Sequence, residues 1–262
     1  MKKGFQMFTV RELLTDKQSM FTVFKKVREI GYDTIQGYLL PFITLKEYKE
    51  LTDTIGFENC SLDASFEAMR SDPKVINQII NDASFLGVDQ ISIGTLPMEY
   101  RENESGFRKY AQEINVIAKN LKKEGKKLLY HPHALEFFSF GGGFKGIDII
   151  LEETDPEGFW FCLDTHWLVG GGVNIVDWLY KVKGRMKTIH YKDYAIIGGA
   201  IKIEEIHKRF AEVGEGNIDW EKIIAASKDI GIEYAIVEQD ICPGNPLDSL
   251  KTSFNNMIKF HV

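Results

Sequence analysis

The chain has 262 residues, 44% of them hydrophobic and 27% charged, which suits one large α/β domain over residues 1–262 rather than two small ones. A net charge of -6 argues against a broad phosphate-binding surface, so no nucleic-acid partner is expected. Cys60, Cys162 and Cys242 are far apart and form no Cys-x-x-Cys pair, which excludes a disulfide framework and a thiolate zinc site.

No signal-peptide segment follows Met1, because Arg11, Glu12 and Asp16 interrupt it, and no apolar stretch reaches membrane-spanning length. A cytoplasmic protein with no membrane partner is the expectation. In chain order, β-rich apolar runs fall at Phe5 to Val10, Thr34 to Leu40, Asn59 to Asp63, Gln90 to Leu96 and Lys127 to His133. Phe159 to Trp167, Met186 to Asp193 and Tyr234 to Asp240 complete eight. Segments of helical period separate them: Ser19 to Ile30 groups Phe21, Phe24, Val27 and Ile30, and Tyr110 to Leu121 groups Ile114, Ile117 and Leu121. Gly31, Gly56, Gly87, Gly125 and Gly231 stand where helices should stop. Strand and helix alternating in this way predict a (β/α)8 TIM barrel. An open Rossmann sheet is disfavoured, because no Gly-x-Gly-x-x-Gly follows the first strand.

The chemistry-bearing residues cluster at the ends of these runs. Leu-Asp164-Thr-His166, Ile-His190-Tyr-Lys192-Asp193 and Val-Glu238-Gln-Asp240 each finish an apolar run, and in a parallel barrel such ends converge on one face. A carboxylate and imidazole set suits a divalent cation. Asp164 needs a cation or several donors beside the core, or else it caps the following segment. His190 is a candidate ligand, Lys192 a partner for an anionic oxygen, Asp193 a supporting carboxylate, and Glu238 a ligand or base. His166 is open between ligand, substrate contact and spacer. The fifth run ends in Tyr130-His131-Pro-His133-Ala-Leu-Glu136-Phe, the densest polar group in the chain. Val213-Gly-Glu-Gly-Asn-Ile-Asp-Trp220 reads as a turn entering a helix, with Asn217 the expected cap and its N–H groups open to an anion. Trp160, Trp167, Trp178 and Trp220 are either a sugar platform or core, His207 falls in a charged helical stretch, and His261 lies at the end of the chain.

At these residues the chain resembles the sugar phosphate isomerase/epimerase families of the xylose-isomerase-like TIM barrel superfamily, in the branch with a Tyr-His-Asn-His-x-x-Glu-Phe motif. Here the motif is Tyr130-His-Pro-His-Ala-Leu-Glu-Phe137. The likeness also covers Gly4 to Arg11, Glu29-Ile-Gly-Tyr32, Leu163 to Trp167, Ile189 to Asp193, Val213 to Trp220 and Val237 to Asp240. It departs at Pro132, where the branch often has Asn, and at Asp63, where a third-strand His is frequent.

The resemblance implies one divalent ion (Mn, Mg, Co or Zn) held by Asp164, His190 and Glu238, with Glu136 as the fourth ligand. It implies catalytic roles for Glu238, Glu136, His131 and Lys192, and substrate contacts from His133, His166, Asp193 and Trp167. The expected activity is isomerisation or epimerisation of a sugar or sugar phosphate, by removing a proton beside a polarised carbonyl or hydroxyl. The alternatives are a dehydratase or lyase on a keto-inositol or 3-keto sugar, and a non-catalytic sugar-binding barrel. The expected partner is a small carbohydrate, with a homo-oligomer allowed. A DNA-repair endonuclease would need more histidine and a basic face than this chain has.

Overall fold

The computed structural model describes residues 1–198, 202 and 207–262. Eight parallel strands occur in chain order: β1 (Lys2–Gln6), β2 (Thr34–Gly37), β3 (Glu58–Asp63), β4 (Gln90–Gly94), β5 (Lys127–His131), β6 (Phe159–Phe161), β7 (Thr188–Tyr191) and β8 (Tyr234–Val237). The chain divides into two compact units, one of residues 1–59 with 189–262 and one of residues 60–188.

In the first unit β1 lies between β2 and β8, with Gly4 opposite Thr34 on one side and Ile236 on the other. Gly4 is needed there, since a Cβ would come within 2.9 Å of the Thr34 carbonyl oxygen. The helix Lys17–Ile30 starts at a reciprocal cap, in which Asp16 accepts from the Ser19 N–H and the Ser19 hydroxyl bonds back to the Asp16 backbone. It buries Met20, Val23, Phe24 and Val27, whereas Phe21, expected on the inner face, is exposed. The buried stripe is rotated by one residue from the one read in the sequence. Phe5, Phe24 and Phe57 pack ring to ring beneath it, with centroids 5.5–6.0 Å apart. The helix ends at Gly31, whose φ is 127° and whose Cβ would lie 2.3 Å from Phe254 Cζ. Gly31→Ala is therefore expected to cost about 2 kcal/mol or more, combining strained φ with overlap, and to show as a lowered midpoint in urea unfolding.

The second unit carries β3 from Cys60 onward and β4 to β6 in side-by-side order, from Leu62 opposite Ile91 through to Tyr130 opposite Phe161. Its long helix, Glu104–Lys123, buries Phe107, Tyr110, Ile114, Ile117 and Leu121 along one face. Phe66, Tyr100, Tyr110 and Tyr130 form a run of ring contacts there.

Most of the strands are shorter than the apolar runs suggested. β1 gives way to a 3-10 turn at Met7, β5 stops at His131, and β6 stops at Phe161, after which Thr165–Gly170 is helical. Each end has its own cause: the Gln6 side chain accepts from the Phe8 N–H, Pro132 has no N–H to offer, and Asp164 caps the helix that follows β6. Asp193 does not end β7 but starts an antiparallel ribbon of Asp193–Ile197 with His207–Ala211. His207 therefore lies in an exposed strand, not a helix; residues 199–201 and 203–206 of that stretch lie outside the described residues.

Candidate active site

In the second unit His131 is the last residue of β5 and is buried. Its Nδ1 lies 3.2 Å from the Cys162 carbonyl oxygen, which can only accept, so Nδ1 carries the proton and the lone pair is on Nε2. That is how ligating imidazoles are commonly oriented. Pro132 ends the ladder, and His133 follows with its ring against His131 (4.7 Å between centroids) and against Trp167 (5.1 Å). His133 Nδ1 is 3.3 Å from Thr95 Oγ1. His166 packs on the other side of Trp167 at 5.1 Å. The four rings of His131, His133, Trp167 and His166 form a continuous aromatic edge.

Asp164 is almost fully buried and caps the helix Thr165–Gly170, its Oδ1 accepting from the Trp167 N–H at 3.1 Å. Capping engages Oδ1, so the capping and ligand readings of Asp164 are compatible. Glu136 is fully buried inside the loop. Its carboxylate accepts from the Tyr130 hydroxyl, from the His133 N–H at 2.8 Å and from the Leu96 N–H at 3.2 Å. Burial pushes the Glu136 carboxyl up from 4.5, and these donors pull the other way. Because the folded value is raised, protonation favours the fold: the contribution is full below pH 4.5 and is lost as pH rises through the folded value. Glu136→Gln should remove that dependence. It should also cost about 1–3 kcal/mol, because an amide NH2 cannot accept from a backbone N–H; thermal midpoints of both proteins across pH 4–8 test this.

In the first unit His190, Lys192 and Glu238 are all buried at the ends of β7 and β8. His190 Nε2 is 2.8 Å from Gln36 Oε1 on β2, and Nδ1 is 2.7 Å from Glu238 Oε2. When Nε2–H donates to Gln36, Nδ1 turns a lone pair toward a carboxylate oxygen. Such a pair needs a proton or a cation between its members. Lys192 Nζ lies 3.1 Å from Glu238 Oε2 and 3.2 Å from Asp240 Oδ2, which compensates its burial. Gln36 was passed over in the sequence, where Thr-Ile-Gln-Gly carries no signal apart from its place at a strand end.

Asp193 lies elsewhere in the first unit. Its fully buried carboxylate accepts from the N–H groups of Tyr194, Gly214, Gly216 and Ile218 and from Trp220 Nε1. The turn at 213–220 thus binds an anion through its backbone, as its composition suggested, but the anion is the chain's own side chain. Asp219, not Asn217, caps the following helix; Asn217 accepts from the Ile196 N–H instead. Trp220 is core, and Gly216 has no room for a Cβ, which would sit 2.3 Å from Asp193 Oδ1. Asp193→Ala is expected to destabilise the protein by about 3 kcal/mol and to open the 213–220 turn to limited proteolysis.

An alternation of eight parallel strands with helices, carrying imidazoles and carboxylates at or just past the strand ends, defines a (β/α)8 barrel protein. The family described as "Xylose isomerase-like TIM barrel" matches residues 24–258, and the chain belongs to that family. It is 26% identical over 242 residues to the inosose dehydratase of Clostridium perfringens, an alignment spanning 86% of this chain and 76% of that protein. A solved sugar phosphate isomerase/epimerase from Parabacteroides distasonis has a TM-score of 0.79 at 23% identity, covering 98% of this chain and 93% of that one. The structure of the IolI protein with a zinc atom has a TM-score of 0.73 at 15% identity, covering 99% and 98%. Among the described residues no helix is long and apolar enough to cross a membrane.

Proposed function

We propose that this chain is a divalent-metal-dependent dehydratase of a polyhydroxylated ketone of the inosose kind. The observation that carries the reading is the buried His190–Glu238–Lys192 group, in which a carboxylate, an imidazole and an ammonium meet at adjacent strand ends. The dehydratase relative at 26% identity favours loss of water over isomerisation or epimerisation, which need the same groups.

The donors we assign to the ion are His131, Asp164, His190 and Glu238, residues of metal-ligating type that stand at or just past strand ends. Two imidazoles and two carboxylates suit Zn, Mn or Co better than Mg, which prefers oxygen alone. The tautomer of His131 and the lone pair of His190 facing Glu238 both fit a cation. Glu136, the fourth ligand expected from the resemblance, is replaced in this assignment by His131, because its carboxylate is engaged by Tyr130, Leu96 and His133.

When bound, such an ion polarises a ketone and its neighbouring hydroxyl and acidifies the C–H between them. Glu238 removes that proton, and the C–H electron pair becomes the C=C bond of an enolate. Lys192 holds the developing oxyanion and keeps Glu238 ionised until the proton arrives. The β-hydroxyl then departs with a proton from His133, so that one water is lost and an unsaturated or tautomerised diketone remains. Trp167 and His166 supply an apolar face and a hydrogen-bonding edge for the ring. Asp193 is left out of the substrate contacts, being consumed by the 213–220 turn.

The deciding experiment incubates the manganese- or zinc-loaded protein with an inosose and, separately, with ketoses and their phosphates in deuterium oxide, followed by proton NMR. Loss of water from the inosose supports the reading. Deuterium exchange or epimerisation of a ketose, with no water loss from the inosose, would replace it with the isomerase alternative.

A further inference from the structure

We infer that the second unit contains an anion-recognition pocket, separate from the metal donors, that takes the carboxylate or phosphate monoester of a small molecule through Arg101. A cavity of about 360 Å³ is lined by Arg101 on the loop after β4, by Leu135 and Phe137 on the loop after β5, and by Gly170 and Gly171 at the end of the helix Thr165–Gly170. That volume holds one ring or a short chain. Arg101 is the one charged residue among those that line it, and the other lining side chains are apolar.

Arg101 is half-buried and held in place: Nε–H donates to the Leu96 carbonyl at 2.6 Å. Among the described residues no carboxylate pairs with its guanidinium. Within the same unit Arg70 and Arg108 each pair with glutamates, Arg70 with Glu99 and Arg108 with Glu104. A fixed guanidinium with its outer amino groups uncommitted by an acid is the geometry that binds planar carboxylate or phosphate oxygens.

The glycines shape the opposite wall. A Cβ on Gly171 would lie 2.5 Å from the Phe137 ring, so the helix end closes on that ring only because this side chain is absent, and one on Gly170 would be a tight 3.3 Å from Ala134 Cβ. Phe138, 58% exposed, stands at the rim. The pocket is also wired to the histidine cluster. Leu96, whose carbonyl accepts from Arg101, donates its own N–H to Glu136, and Glu136 accepts from the His133 N–H. Three hydrogen bonds thus separate Arg101 from the backbone of His133.

The test uses the full-length protein, free of added metal, titrated with inorganic phosphate and separately with benzoate. Binding is followed by calorimetry and by the ¹⁵N-resolved amide shifts of Leu96, Leu135 and Gly171. The expected result is saturable binding of at least one anion that moves these amides. It should weaken about tenfold or more in Arg101→Gln and be partly kept in Arg101→Lys, which retains the charge but not the fork. Tighter binding of benzoate identifies a carboxylate site on an apolar wall, and tighter binding of phosphate a phosphate monoester site. Because Arg101 also braces Leu96, unchanged thermal midpoints of both variants are measured alongside. Failure of both anions to saturate, equal affinity in Arg101→Gln, or shifts confined to other amides would overturn the proposal. None of these outcomes depends on metal or turnover, so the dehydratase reading stands or falls separately.

Discussion

Glu238→Gln should lower turnover of the inosose by about 10²- to 10⁴-fold while leaving the fold intact, the range expected when a general base is removed. The size follows from the neighbours rather than from the carboxylate alone. Glu238 Oε2 is shared by His190 Nδ1 and Lys192 Nζ at 2.7 and 3.1 Å, so the amide loses the base and also turns either its NH2 toward the ammonium or its oxygen toward the Nδ1 lone pair. Lys192→Met makes the complementary test. It removes the cation that sits between Glu238 and Asp240, and it should lower turnover by a comparable factor, because the developing oxyanion loses its partner. Rate profiles of both variants on an inosose, with circular dichroism as the control, separate lost chemistry from lost structure. A Glu238→Gln protein with wild-type turnover would remove the proposed base.

The second large effect is expected at Asp164, where two roles can be taken apart. Asp164→Ala should abolish stoichiometric retention of manganese or zinc through gel filtration, measured by plasma emission, and should also cost about 1 kcal/mol through loss of the cap on the Trp167 N–H. Asp164→Ser keeps an oxygen that can cap but offers no anionic ligand. It should recover most of the thermal midpoint and none of the metal. A serine variant that binds metal as tightly as the wild type would leave Asp164 with its capping role alone.

The barrel was legible because its signals are local and repeated. Gly31, Gly56, Gly87, Gly125 and Gly231 all adopt positive φ at helix ends, as their spacing implied, and every apolar run overlaps a strand, although β1 starts at Lys2, ahead of the run that began at Phe5. Strand ends were less legible, because an apolar run does not reveal where backbone pairing yields to side-chain bonds. Asp164 and His133 look like strand residues until their helix and 3-10 turn are seen. Site residues were readable by type but not by allegiance. Glu136 and Asp193 carry the same carboxylate as Asp164 and Glu238, yet their donors come from loop backbone that no spacing rule anticipates. Gln36 and Arg101 gave no signal at all, since their interest depends on what lies beside them in space.

The clasp formed by Asp193 bears on how this protein can change over time. Asp193 fastens the foot of the ribbon Asp193–Ile197 and His207–Ala211, and Asn217 binds the next rung through the Ile196 N–H and the Tyr194 carbonyl. A change in length beyond this anchor is therefore decoupled from His190 in β7 and from Lys192 just after it. Doubling the connection would cost only about 0.6 kcal/mol in chain entropy. Such a built-in anchor makes the ribbon a natural grafting position, where insertions can be sampled while the reaction chemistry is held constant.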